Sequence, residues 1–136
     1  MTSSFTLAYG CILVMALLPM ICAGIAKFGR TGSSSREGSY DNRDPRTWLG
    51  RLSGWRARAN NAQANTFEAL PFFFAAVIVA HQLQMPQARL DLLAVIFVGL
   101  RIAYVLAYIA DKANARSLLW VLALSVNIAI FLMGFR

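Results

Sequence analysis

Four apolar runs, each about as long as a bilayer is thick, leave this chain few folds to choose from. Leu7 to Ala26 has no charged residue in twenty positions. At about 1.5 Å rise per residue such a helix spans the roughly 30 Å hydrocarbon layer. Ala64 to Leu83, Leu92 to Ala110 and Leu118 to Phe135 follow, broken only by Glu68 in the second run and Arg101 in the third. In lipid every backbone polar group must find its partner inside the segment, so each run is expected to be a helix. With 136 residues in all, of which 58 % are apolar and 14 % charged, there is room for one unit and little beyond it. The expectation is an all-α membrane protein. Residues 1–136 form a single four-transmembrane-helix bundle, with a polar loop over 27–63. The first run has no preceding basic residue and no A-x-A-like site at its end, which argues against a cleaved signal peptide.

The net charge of +7 invites a nucleic-acid reading, but its distribution opposes one. Eight cations, Lys27, Arg30, Arg36, Arg43, Arg46, Arg51, Arg56 and Arg58, lie between the first two spans, and Lys112 and Arg116 between the last two. Those loops share one side of the membrane, which the positive-inside rule makes cytoplasmic, leaving both termini and the His81–Arg89 connection outside. The expected location is an integral, multi-pass position in a bacterial inner membrane. Its first partners are membrane lipids, anionic ones at the basic side, and not nucleic acid. Cys11 and Cys22 lie eleven residues apart on one helix, too far to bridge, and read as buried thiols.

Within the long loop, 28–40 is rich in Gly and Ser and reads as flexible chain. Tyr40 to Arg46 is turn-rich, with Asp and Asn able to hold backbone amides and Pro45 fixing one dihedral. Trp48, Leu49, Leu52 and Trp55 then recur at helical spacing among arginines. Two readings stand open there: a short helix on the membrane surface, or an inward extension of the second span.

Polar residues inside the spans carry whatever chemistry there is. Arg58, Asn61, Asn65 and Glu68 fall within an arc of roughly 80° on one helix, and Arg101, Tyr104 and Tyr108 within about 60° on another. A charge at mid-span costs roughly 2.5–3.5 kcal/mol on insertion scales, so Arg101 needs a partner, and Glu68 is the expected one. Such a pair alone would do no more than fix helix register. The two Asn and two Tyr on the same faces add amide and phenol groups suited to a polar ligand. Pro71 frees the carbonyl of Phe67 beside Glu68, and a kink there would open the bundle. His81 stands without a Cys or carboxylate cluster at ligand spacing, so no metal site is expected. Nucleophile elbow, P-loop, dinucleotide fingerprint and HExxH motifs are absent from the sequence.

The segment Arg58-Ala-Asn-Asn-Ala-Gln-Ala-Asn65-Thr-Phe-Glu68-Ala-Leu-Pro71-Phe72-Phe73 resembles the MAPEG family, the membrane-associated proteins in eicosanoid and glutathione metabolism. Asn65, Glu68, Pro71 and Phe73 fit its Asn-x-x-Glu-x-x-Pro-x-Phe signature. Arg101, Tyr104, Tyr108 and the Arg116-Ser117 pair at the head of the fourth helix extend the likeness. The resemblance implies a homotrimer with glutathione, as cosubstrate, bound between neighbouring subunits near the cytosolic side. It implies that Asn65 and Glu68 hold the peptide, that Arg101, Tyr104 and Tyr108 complete the pocket, and that Arg116 is the catalytic, thiolate-stabilising group. A guanidinium beside a thiol lowers its pKa and raises the reactive fraction. The chain departs from many active members at Asn61, where they carry arginine, and at Gln63, where they carry histidine. Asparagine does not replace the charge of that arginine, and Arg58, one turn earlier, is the candidate to compensate.

The implied function is a glutathione transferase or peroxidase acting on lipophilic small-molecule electrophiles. A non-catalytic lipid-binding or scaffold protein of the same fold is the second expectation, and a small proton-coupled multidrug exporter using Glu68 the third.

Overall fold

The computed structural model describes residues 5–29 and 40–135. They form five helices: α1 (Leu7–Phe28), α2 (Pro45–Gly50), α3 (Gly54–Gln82), α4 (Gln87–Ile109) and α5 (Ala113–Leu132). All but α2 are long and apolar enough to cross a membrane, which agrees with the four expected spans. The flexible stretch read over 28–40, with Arg30 and Arg36, lies mostly outside the described residues.

The ends of α1 are tied to other helices. Thr6 Oγ1 accepts from the Tyr9 amide at 3.3 Å, and Asp91 Oδ1, at the start of α4, accepts from the Ala8 amide at 2.8 Å. Both satisfy amides that a helix start otherwise leaves without partners. The same carboxylate accepts from Gln87 Nε2 at 2.7 Å, and Gln87 Oε1 lies 3.1 Å from Nδ1 of His81. The single histidine therefore belongs to a clasp that joins α1, α3 and α4. At the other end of α1, Arg56 donates from Nε to the Ala26 carbonyl at 2.9 Å and from Nη2 to that of Lys27 at 3.1 Å. A cation at a helix C-terminus complements the dipole as well as the free carbonyls.

Trp48, Leu52, Ala26 and Ala59 form a small core of their own at this basic end. The Tyr40 ring meets Trp48 edge-on at 5.1 Å, and the Arg56 guanidinium lies 5.1 Å from the indole. Trp48 is thus buried, not laid on a lipid surface. Each sequence reading holds half of the truth: α2 is a separate short helix, and α3 starts at Gly54, ten residues before the apolar run. Asp41 Oδ1 accepts from the Arg43 amide, and Asp44 Oδ1 from that of Thr47, as the turn-rich composition predicts. The bonds from Thr47 hold the Asp44 carboxyl below its ordinary range. A side chain at Gly29 would overlap the Trp55 ring, so only glycine lets α1 leave beside α3.

Helices α3 and α4 form the middle of the bundle, with α1 and α5 on opposite sides of them. Close approach rests on small buried residues, among them Ala8, Ala62, Ala76, Ala80, Ala94 and Ala123, as expected where lipid supplies no hydrophobic drive between helices. Phe73 and Phe97 stack between α3 and α4 with centroids 4.2 Å apart. Leu13, Leu17, Ile21, Leu92, Leu106 and Val121 stand exposed on the outside, the inverse of a water-soluble surface. The turn from α4 to α5 places Asp111 at φ 61°, a left-handed conformation that Asp tolerates better than most.

These ties put the ends of α1 and α4 and the starts of α3 and α5 at one basic end. Single cysteines at the exposed Asn114 and Ala88 are therefore expected to react with a membrane-impermeant thiol reagent from opposite faces of sealed vesicles. Equal reaction of both from either face would contradict one fixed orientation.

Candidate functional site

Arg101 is the most deeply buried charge among the described residues, 1 % exposed. It projects from α4 toward the polar stripe of α3, but its partner is not Glu68. Its Nη2 donates to Asn65 Oδ1 at 3.0 Å and to Thr66 Oγ1 at 3.3 Å. Asn65 Nδ2 in turn donates to Glu68 Oε2 at 3.4 Å. The expected ion pair is replaced by a relay, carboxylate to amide to guanidinium, and one orientation of the Asn65 amide serves both ends. Helical spacing placed Asn65 and Glu68 on one face; only the rotation of α3 against α4 decides which of them the guanidinium meets. Thr66 is held by its own bond to the Ala62 carbonyl at 2.7 Å, which turns its oxygen toward Arg101.

Above this relay a ladder of cations and rings climbs toward the basic end. The Arg101 guanidinium lies 4.3 Å from the Tyr104 ring centroid, Tyr104 meets Tyr108 edge-on at 5.7 Å, and the Arg116 guanidinium lies 4.4 Å from the Tyr108 centroid. Each cation–ring contact contributes on the order of 0.5–2 kcal/mol and fixes the orientation of an otherwise mobile guanidinium. Tyr108 so holds Arg116 in the first turn of α5, where free helix amides also favour an anion.

Arg58 goes elsewhere. Its Nε donates to the Ile109 carbonyl at 3.0 Å and its Nη1 lies 3.8 Å from Asp111 Oδ2, so it closes the end of α4. It shares the face of Asn65 but sits about 10 Å nearer the basic end. Asn61 is exposed.

A cavity of about 200 Å³ opens between α3, α4 and α5. Asn65, Glu68 and Arg101 line it, together with Phe72, Trp120 and Asn127, which sequence reasoning did not single out. Within its apolar run Asn127 has only Ser125 for polar company, two positions away and so on a different face, and no stripe within that run drew attention to it. One signal was present: Arg116, Trp120 and Asn127 stand four and seven apart on α5, on one face. Pro71 is exposed on α3, within the helix that runs from Gly54 to Gln82. Among the described residues, no three His, Cys, Asp or Glu side chains are grouped to hold a metal ion.

Four spanning helices with a polar relay buried between two of them define an integral, multi-pass membrane protein with an intramembrane polar site. The chain belongs to the MAPEG family, whose sequence model matches residues 6–136. Neither the curated proteins nor the solved structures give a match to it.

Proposed function

We propose that this protein is a glutathione transferase or peroxidase that acts on lipophilic electrophiles drawn from the bilayer. The observation that carries the reading is the chemistry available along one path: Glu68 and Asn65, then Arg101, then Arg116 held on Tyr108. Glutathione carries an ammonium, two carboxylates and a thiol. Glu68 suits the first, Arg101 a carboxylate and Arg116 the thiolate, whose formation a fixed guanidinium favours. The cavity is smaller than the roughly 300–1,000 Å³ of complete small-molecule sites, and Glu68 and Trp120 stand exposed at its rim. A neighbouring subunit completing it, in a homotrimer, is the arrangement that fits. The basic end then faces the cytoplasm, the side from which a water-borne thiol arrives; its positive field attracts the anionic peptide.

A lipid-binding scaffold is the second reading, favoured by Asn61 and Gln63, which leave the α3 approach without a cation beside Asn65. The exporter alternative draws no support from membership in this family. Glutathione added to purified protein is expected to produce a protein-dependent thiolate absorbance, and Asn61→Arg to tighten binding about tenfold, as one added charge-assisted hydrogen bond would. Absence of binding and of thiolate in both proteins would leave the scaffold as the better account.

A further inference from the structure

The lipid-facing side of α1 has a gap just below the basic end, away from the cavity. A side chain built on Gly24 would meet nothing within 4 Å, and Met20, Ile21 and Phe28 stand exposed around it. Met20 and Ile21 lie one turn below and Lys27 and Phe28 one turn above, so all four border the same patch of surface. The Cα–Cβ bonds of Lys27 and Phe28 tilt toward the start of the helix, over the gap. Bare backbone between exposed apolar side chains makes a shallow groove, which an alkyl chain can fill.

A held cation stands at the upper lip of this groove. Lys27 follows directly on the charge-free stretch Leu7 to Ala26, so its ammonium lies where hydrocarbon gives way to headgroups. It sits 4.7 Å from the centroid of the Tyr40 ring. That ring is braced in turn, edge-on against Trp48, whose buried core includes Ala26. The contact orients the ammonium and neutralises none of its charge. Among the described residues no carboxylate lies within 4 Å of Lys27. Asp41 and Asp44, which follow Tyr40 in the chain, turn back to accept from the amides of Arg43 and Thr47.

Groove and cation together select the occupant. An apolar helix would fill the groove and leave the charge unanswered, and a free inorganic anion would do the reverse. A zwitterionic lipid brings a second cation to the same depth. An anionic phospholipid answers both features, with its phosphodiester beside Lys27 and one acyl chain along Gly24. We propose that Lys27, Phe28 and Gly24 form a seat for one anionic phospholipid on α1. A diffuse positive field would draw such lipids to every cation at this end alike; the groove sets Lys27 apart. Nothing in this seat depends on glutathione.

The test places the full chain in phosphatidylcholine vesicles at about 0.3 M salt, where the field of exposed charges is largely screened. Phosphatidylglycerol or phosphatidylcholine with an acyl chain brominated near its carbonyl end is then introduced at increasing mole fraction, and tryptophan fluorescence is read. Trp55, whose ring would overlap a side chain at Gly29, is the reporter, and Trp55→Phe identifies its share of the quenching. Phosphatidylglycerol is expected to reach half-maximal quenching at a mole fraction about fivefold lower than phosphatidylcholine, the factor one lysine gives near a membrane surface. Lys27→Gln and Gly24→Leu are each expected to bring the two lipids within about twofold. Leucine enters open space at Gly24, so that variant serves if Lys27→Gln does not assemble. Lys112→Gln, which alters an exposed lysine of the other basic loop, is expected to leave the preference as it was. Equal quenching by both lipids in the unaltered protein, a preference that survives Lys27→Gln or Gly24→Leu, or equal losses in Lys27→Gln and Lys112→Gln would each overturn the proposal. Were Gly24→Leu to dissociate an oligomer, the groove would belong to a second copy of the chain and the proposal would fall.

Discussion

Asn65→Leu is expected to destabilise the protein by about 3 kcal/mol, and Arg101→Met by less than about 1 kcal/mol, although Arg101 carries the charge. The asymmetry follows from what each change leaves behind. Without Asn65, the buried guanidinium keeps one hydrogen bond, at 3.3 Å to Thr66, beside its contact with the Tyr104 ring, and loses its link to Glu68. Without Arg101, Asn65 still donates to Glu68, and Thr66 still donates to the Ala62 carbonyl. Methionine fills much of the space and removes a charge whose insertion is itself costly. The double variant Asn65→Leu with Arg101→Met is therefore expected to be more stable than Asn65→Leu alone. Detergent-denaturation midpoints of the three variants decide the matter. Were Arg101→Met as damaging as Asn65→Leu, with the double variant no better than either, the relay would not be what holds α3 to α4.

Arg116→Ala is expected to lower the rate at saturating glutathione by about 10²–10³, the cost of removing one preorganised group from a developing or reactive anion. The apparent pKa of the bound thiol rises when the guanidinium is lost, so the thiolate fraction falls at neutral pH and part of the rate returns at alkaline pH. Because the Tyr108 ring, not its hydroxyl, lies against Arg116, Tyr108→Phe is expected to keep most activity and Tyr108→Leu to lose more. A pH–rate profile for Arg116→Ala that merely drops, with no shift along the pH axis, would remove the thiolate role from this arginine.

Much of the molecule was legible along the chain. The apolar runs locate the spans to within a few residues at most boundaries, since lipid leaves a single chain few structures other than helices. The start of α3 departs furthest: Gly54–Gln63 is polar enough to leave both a loop and an inward extension of the span open in the sequence, and it is helical because α1 and the Trp48 core cover it. The stripes of Asn65 with Glu68, and of Arg101 with Tyr104 and Tyr108, follow from 3.6-residue periodicity alone.

The sequence by itself determined the spanning architecture, the sidedness of charge, the family signature and the faces on which polar residues stand. All of these depend on spacing along one helix or on hydropathy, which are local properties. Only the tertiary structure decided that Arg101 meets Asn65 and Thr66 and not Glu68, that Arg58 closes α4, and that Trp48 is buried. It alone brought Asn127 to the same cavity as Arg101. Each of those outcomes depends on how one helix is rotated and shifted against another, a difference of one turn or less. Packing of Phe73 on Phe97 and of small residues such as Ala62 and Ala94 sets that rotation, and no spacing within a single helix encodes it.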